Sequence, residues 1–97
     1  MSQHWIIHCL DHAGANPTRL RHYEAHKAYL SGALPVRILV SGPLLGEDGE
    51  TAIGSLFLVE APDRAAVEAF HAADPFRAAG IWREVAIHRF LKRQDNR

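Results

Sequence analysis

The sequence predicts one α+β domain in which two helices cover one face of a four-stranded antiparallel sheet. Three observations carry this prediction: β-forming runs bounded by turn residues, two stretches with helix-capping signals, and the order β-α-β-β-α-β along 97 residues. That order is the split-βαβ arrangement, whose strands carry both helices on the same side. A chain of this length has room for one core. We therefore expect a single domain over residues 1–97, with 92–97 as a frayed, solvated tail.

The first third of the chain predicts a strand followed by a helix. The run His4–Leu10 is rich in β-forming residues and precedes a cluster of turn residues, which is typical of a strand. Asn16 followed by Pro17 is typical of an N-cap and the first helical position. Helix-forming residues continue to Leu30 and stop before Gly32, so we expect a helix of about 14 residues.

The middle of the chain predicts two strands that pair with each other. Val36–Ser41 is a β-branched run, and we expect Gly42 and Pro43 to end it. Turn residues at 46–49 then separate it from a second run, Ala52–Glu60. An antiparallel pair is the expected result.

The last third predicts a helix, a short extra turn and a final strand. Asp63 precedes a run with helical spacing and is the expected N-cap. Asp74 and Pro75 should end this helix, because the residue before proline disfavours the α region. One further turn is expected over Phe76–Gly80, and the alternating run Trp82–Leu91 predicts the fourth strand.

The third strand is apolar on both of its faces. The two sets of side chains are Ile53, Phe57 and Val59 on one face and Ala52, Leu56 and Leu58 on the other. Two helices cover only one of these faces, and the other would leave an apolar patch larger than monomers usually expose. The sequence therefore predicts a homodimer that covers the second face, with a monomer as the alternative.

Composition argues against several classes of protein. Eleven Lys and Arg balance eleven Asp and Glu, which gives no electrostatic case for binding nucleic acid or an anionic membrane surface. No apolar run approaches the roughly 20 residues of a membrane span, and a signal-peptide pattern is absent. The single cysteine, Cys9, cannot form an internal disulfide. We expect a cytoplasmic protein without nucleic-acid or membrane partners.

The motifs of nucleophilic and nucleotide chemistry are missing from the sequence. There is no GxSxG elbow and no GxxxxGK[ST] loop, and Cys9 in an apolar strand is typical of a packed core thiol. His22 and His26 lie four apart on one helix face, but Glu24 lies off that face and no third metal ligand is marked. We therefore expect no metal and no other cofactor. Three further histidines are typical of ordinary strand or loop side chains; they are His4, His8 and His12.

Two residues are better candidates for chemistry. Tyr29 and Leu30 place His26 toward the covered side of the first helix, where an imidazole needs a partner. Asp74 lies at a helix end ahead of Pro75, on a stiff backbone. In contact, the carboxylate would fix the imidazole tautomer and leave the other ring nitrogen to move a proton. A histidine bonded to backbone and a turn-forming aspartate are the alternatives.

Four segments, in order and spacing, resemble characteristic stretches of the YciI-like (YCII-related) proteins. They are RLRHYEAHKAYL, with the family's histidine at His26; SGPL at Ser41–Leu44; IGSLFLVEAPD at Ile53–Asp63; and ADPFRAAGIW at Ala73–Trp82, with the family's aspartate at Asp74. The resemblance extends over nearly the whole length of the chain. The resemblance implies a ferredoxin-like α+β fold that dimerises through its sheets as a dimeric α+β barrel.

The resemblance also implies that His26 and Asp74 form the catalytic pair of a pocket that binds a small molecule. The implied binding residues are Ser41, Gly42, Ser55 and Phe76. Many members carry an arginine three residues before the histidine, where this chain has Tyr23, so an anion clamp at that position is not implied. The expected function is general acid–base chemistry of the isomerase or lyase type, and the alternative is a non-catalytic metabolite-binding or accessory dimer.

Overall fold

The computed structural model describes residues 3–97 and has the expected α+β fold. The strands are β1 (Gln3–Asp11), β2 (Arg37–Leu45), β3 (Ala52–Ala61) and β4 (Trp82–Phe90), and the helices are α1 (Asn16–Leu30), α2 (Arg64–Ala72) and α3 (Pro75–Ala78). The four strands form one antiparallel sheet in the order β2-β3-β1-β4. No helix within residues 3–97 is long and apolar enough to cross a bilayer.

The two long helices start in different ways. Asp63 caps α2 as predicted, because its side chain accepts a hydrogen bond from the Ala66 amide at 2.9 Å. The prediction that Asn16 caps α1 is wrong: the cap position is Ala15, which has no side-chain bond. Asn16 Nδ2 instead donates to the Ala52 carbonyl at 2.8 Å. Its amide therefore fastens the start of α1 to the start of β3.

β2 continues through Gly42 and Pro43, so the prediction that these residues end the strand is wrong. Pro43 pairs with Ser55 of β3 in the register of the sheet. β2 is an edge strand, where a residue without an N–H group is tolerated because one side of the strand needs no ladder partner. Just before this extension, Ser41 lies opposite Phe57, and Gly42 lies opposite Leu56.

The main core lies between the helices and one face of the sheet. Its buried members are Trp5, Ile7 and Cys9 of β1, Val36, Phe57, Val59 and Ala61 beside them, and Val67 and Phe70 of α2. The prediction that Cys9 is a packed core thiol is confirmed. Ile53, predicted to share the face of Phe57, is exposed because it lies at the hairpin end of the sheet, close to Gly46 of the turn.

The opposite face of the sheet is also apolar but less buried. Leu56 and Leu58 of β3 are half-buried there, and Val40, opposite Leu58, is exposed. The segment 91–97 has no regular structure and is exposed. Arg97 Nη1 donates to the Leu39 carbonyl at 3.0 Å, which holds the end of the chain against β2.

Candidate active site

Helices α1 and α3 bring His26 and Asp74 together. His26 Nδ1 lies 2.7 Å from Asp74 Oδ1, although the two residues are 48 positions apart in the chain. Both residues are buried, and the Asp74 side chain is only 1% exposed. The two side chains are therefore in contact, in an environment from which bulk water is largely excluded.

The local sequence explains why Asp74 is held so firmly. Asp74 takes an extended backbone conformation before Pro75, as pre-proline residues prefer, and becomes the N-cap of α3. Its Oδ1 accepts the Phe76 amide at 2.9 Å as well as facing His26. Its Oδ2 is buried and has no hydrogen-bond partner within residues 3–97. One carboxylate therefore both caps α3 and contacts His26.

Aromatic side chains fix the plane of the His26 ring. The ring stacks on Phe76 with centroids 3.9 Å apart and planes 2° from parallel, and Phe57 meets it edge-on at 6.3 Å. With Nδ1 held by Asp74, Nε2 is the ring nitrogen left without a partner within residues 3–97. It is not sealed from solvent, because His26 lines a cavity.

The cavity beside His26 has a volume of about 280 Å³. Its walls are formed by Arg19, Tyr23, His26, Lys27 and Leu30 of α1, Ser41, Gly42 and Pro43 of β2, Ser55 and Phe57 of β3, and Phe76 of α3. All four residues expected to bind a ligand therefore lie on its wall. The volume is near the lower limit of small-molecule sites, about 300 Å³, and is suited to a ligand of about one ring.

Arg19 is the principal residue of the site that the sequence analysis missed. It makes a two-bond ion pair with Asp11, with Nε at 2.5 Å from Oδ2 and Nη2 at 3.0 Å from Oδ1. Nη2 also donates to the Gly54 carbonyl at 2.7 Å and to Ser55 Oγ at 2.8 Å. Its guanidinium lies 5.1 Å from the centroid of the Phe76 ring. Arg19 therefore links the end of β1 to β3 and to the cavity wall.

A sequence signal for Arg19 did exist. Arg19, Tyr23, His26 and Leu30 follow the spacing i, i+4, i+7, i+11, which places them on one stripe of α1. Once His26 is assigned to the covered side, the same stripe includes Arg19. Charged helix residues are usually solvated, so burial is not expected of an arginine on a helix. Arg19 is nevertheless buried.

Ser55 is oriented by two donors. Its Oγ accepts from Arg19 Nη2 at 2.8 Å and from Trp82 Nε1 at 3.3 Å. Both acceptor positions of the hydroxyl oxygen are thus occupied, so its hydrogen is free to donate to a ligand in the cavity.

Gly54 allows β1 and β3 to approach closely at the site. A Cβ at this position would lie 2.2 Å from the Cys9 carbonyl oxygen and 3.0 Å from a methyl carbon of Leu44. Only a residue without a side chain fits between the strands, and the carbonyl of this residue is the one that Arg19 binds.

Two other buried groups near the site have perturbed ionisation. Burial, assisted by the charges of Asp74 and Asp11, raises the pKa of the Cys9 thiol to about 12, so the thiol stays protonated and is a poor nucleophile. His71 stacks on Trp82 with centroids 4.9 Å apart. Burial, assisted by the charge of Arg77 and opposed by that of Asp74, lowers the pKa of His71. His71 is therefore held as a neutral ring.

The remaining histidines do not extend the site. His22 is not part of the cavity wall, and within the part of the chain that the structure describes no three His, Cys, Asp or Glu side chains are grouped as a metal site would require. His4 and His8 pair with Glu60 and Leu56 on β3, and His12 follows the end of β1.

Two comparisons with known proteins bear on this site. The family profile described as the YCII-related domain matches residues 4–91. Among solved structures, the chain is similar to 5-chloro-2-hydroxyhydroquinone dehydrochlorinase from Burkholderia phenoliruptrix AC1100, in complex with 2,5-dihydroxybenzoquinone. The TM-score is 0.79 with 31% sequence identity, over 91% of this chain and 93% of the other. No curated protein matches the chain.

Proposed function

The chain belongs to the YCII-related domain family, and on that premise we propose that it is a small-molecule enzyme in which His26 and Asp74 carry out general acid–base chemistry of the lyase or isomerase type. The observation that carries the proposal is the 2.7 Å contact between these side chains on the wall of a cavity. A buried imidazole with one nitrogen bound to a carboxylate and the other open to a ligand-sized space has the geometry of a general base.

In the proposed mechanism each member of the pair has one task. Asp74, as a carboxylate, accepts the Nδ1–H of His26 and so holds the tautomer in which Nε2 carries a lone pair. Nε2 takes a proton from the substrate, and the imidazolium returns it in a later step or to solvent. Phe76, stacked on the ring, prevents its rotation. A general base of this kind contributes about 10²- to 10⁴-fold in rate.

The similar dehydrochlorinase suggests the class of reaction. Dehydrochlorination takes one proton and one chloride ion from the same molecule, and the proton is what an imidazole removes. For this chain we propose elimination or isomerisation of a small hydroxylated, unsaturated ring. In this proposal Arg19 and Ser55 donate hydrogen bonds to its oxygen atoms, and the remaining surface of the ring contacts Ser41, Gly42 and Phe76, which line the same cavity.

The experiment that tests the proposal compares turnover of hydroxyhydroquinones and their chlorinated forms by three proteins. His26→Ala should lower kcat by about 10²- to 10⁴-fold while the protein stays folded. His22→Ala is the matched control, because it lies on the same helix but off the cavity wall. Full activity of His26→Ala would overturn the mechanism, and ligand binding without turnover by the natural protein would favour the accessory module.

We also propose that the chain forms a homodimer through the uncovered face of its sheet. Leu56, Leu58 and Val40 support this proposal, because they form an apolar surface that the two helices do not cover. Leu58→Asp should shift the protein from dimer to monomer in sedimentation at low micromolar concentration. Leu20→Asp is the control, since Leu20 is an exposed leucine of α1, and it should leave the dimer intact. A natural protein that sediments as a monomer would contradict the proposal.

A further inference from the structure

The wall of the cavity carries basic side chains and no carboxylate. Of its lining residues within 3–97, Arg19, His26 and Lys27 are basic, and none is Asp or Glu. The carboxylates next to them, Asp11 and Asp74, are 4% and 1% exposed and do not line the cavity. A ligand in the cavity therefore meets a wall whose charge is positive or neutral.

Two of these basic residues already have buried anionic partners. Arg19 is bonded through Nε and Nη2 to both oxygens of Asp11, and His26 faces Asp74. The charge of Arg19 is therefore largely compensated within the protein. Arg19 can donate hydrogen bonds to a ligand but attracts an anion less strongly than a free cation would.

Lys27 differs from both in exposure and in the partner it has. Its Nζ lies 3.5 Å from Glu24 Oε2, but the two side chains are 56% and 82% exposed. An exposed pair of this kind is weak, because solvent and salt screen it. Lys27 is thus free to exchange Glu24 for an anionic ligand.

Tyr23 places the Lys27 ammonium at the rim of the cavity. The two residues are one helical turn apart on α1, and Lys27 Nζ lies 5.3 Å from the centroid of the Tyr23 ring. Both also line the cavity, beside His26. The cation–π contact favours a position of Nζ over the ring, at the edge of the space where a ligand would bind.

We propose that Lys27 is a specificity-determining residue that binds an anionic substituent of the substrate. The cavity would then select ionised ring compounds, such as hydroxyquinone anions or small unsaturated acids, over neutral compounds of the same shape. This inference rests on the proposed function, because it names the class of substrate for the same cavity.

The test uses two probes that differ mainly in charge. 2,5-Dihydroxybenzoquinone is a vinylogous acid and is ionised at pH 8, whereas 2,5-dimethoxybenzoquinone has the same ring and no charge. Calorimetry should give a lower Kd for the ionised probe, and Lys27→Met should reduce that preference by about fivefold. Lys27→Arg should retain the preference, and raising the salt concentration should weaken it in the natural protein.

Lys92→Met is the matched control, because it removes the only other lysine, in the exposed segment 91–97. It should leave both Kd values unchanged. The inference is overturned if Lys27→Met keeps the preference for the ionised probe, if the natural protein binds both probes equally, or if it binds neither. Each of these results leaves the role of His26 to be decided by the turnover of His26→Ala, so the two proposals fail separately.

Discussion

Two buried acid–base pairs border the cavity, and they are built in opposite ways. Arg19 and Asp11 use both carboxylate oxygens, and the guanidinium also binds Gly54 and Ser55. In the pair of His26 and Asp74, one carboxylate oxygen has no hydrogen-bond partner within residues 3–97, and one imidazole nitrogen is equally free.

Under the proposed function, the difference separates a structural pair from a reactive one. A pair with both carboxylate oxygens engaged is costly to disturb, because any change leaves a buried charge uncompensated. A pair with an unbonded nitrogen at a cavity can gain and lose a proton without breaking other contacts. We therefore expect changes at Asp11 to act mainly on stability and changes at Asp74 mainly on rate.

The largest expected effect is on turnover. Asp74→Asn should lower kcat by about 10²- to 10⁴-fold, because an amide no longer holds the tautomer of His26 through a charged hydrogen bond. The Asn side chain can still accept the Phe76 amide, so α3 should keep its N-cap. Steady-state kinetics and circular dichroism measure the two effects. If the fraction of kcat that is lost matched the fraction of helical circular dichroism signal that is lost, Asp74 would act only through the fold.

The matching change in the other pair should act on stability. Asp11→Asn leaves the Arg19 guanidinium without its anionic partner, which should lower the free energy of unfolding by about 3 kcal/mol. Urea unfolding followed by tryptophan fluorescence measures the change. A larger loss of stability in Asp74→Asn than in Asp11→Asn would contradict the division of roles.

Gly54→Ala should destabilise the protein by about 2 kcal/mol. The new methyl group would overlap the Cys9 carbonyl, and β1 and β3 would have to separate to accept it. Because Arg19 binds the Gly54 carbonyl, the separation should also weaken binding of any ligand that uses Arg19. Gly42→Ala is the control, since a Cβ there meets nothing within 4 Å. Equal stability of the two variants would argue against a close approach of the strands.

The smallest expected effect is a pH dependence from His71. Its pKa is lowered in the folded protein from the usual 6.5, so the unfolded chain binds this proton more readily. The stabilising contribution of neutral His71 is therefore complete above about pH 6.5 and is lost as the pH falls toward the folded pKa. His71→Gln should flatten the decline in thermal stability below pH 6.5. An unchanged profile would show that His71 is not neutral in the fold.

Much of the fold could be predicted because local signals and the global arrangement agree. Turn residues, the Asp63 cap and the break at Pro75 each act within a few residues, and the element order then fixes the architecture. The predicted N-cap at Asn16 and the predicted strand end at Pro43 were wrong for one reason: the environment of each residue is set by another element. Asn16 binds Ala52, 36 residues away, and Pro43 is tolerated because β2 is an edge strand.

The site was predictable in part. His26 and Asp74 were identified from an apolar neighbourhood, a helix end and the resemblance to a family, but their contact depends on how α1 packs against α3. Arg19 was missed because its partners lie on three other segments, which a reading of one helix does not combine. Its position relative to His26 in the helical repeat was the available clue.

Asp74 starts α3 and orients His26 with the same oxygen atom. Fraying of that four-residue helix would release the Phe76 amide and loosen the support of the imidazole together. Heating should therefore abolish activity when α3 frays, at a temperature below that at which the sheet melts. The most heat-sensitive property of the molecule would be its chemistry.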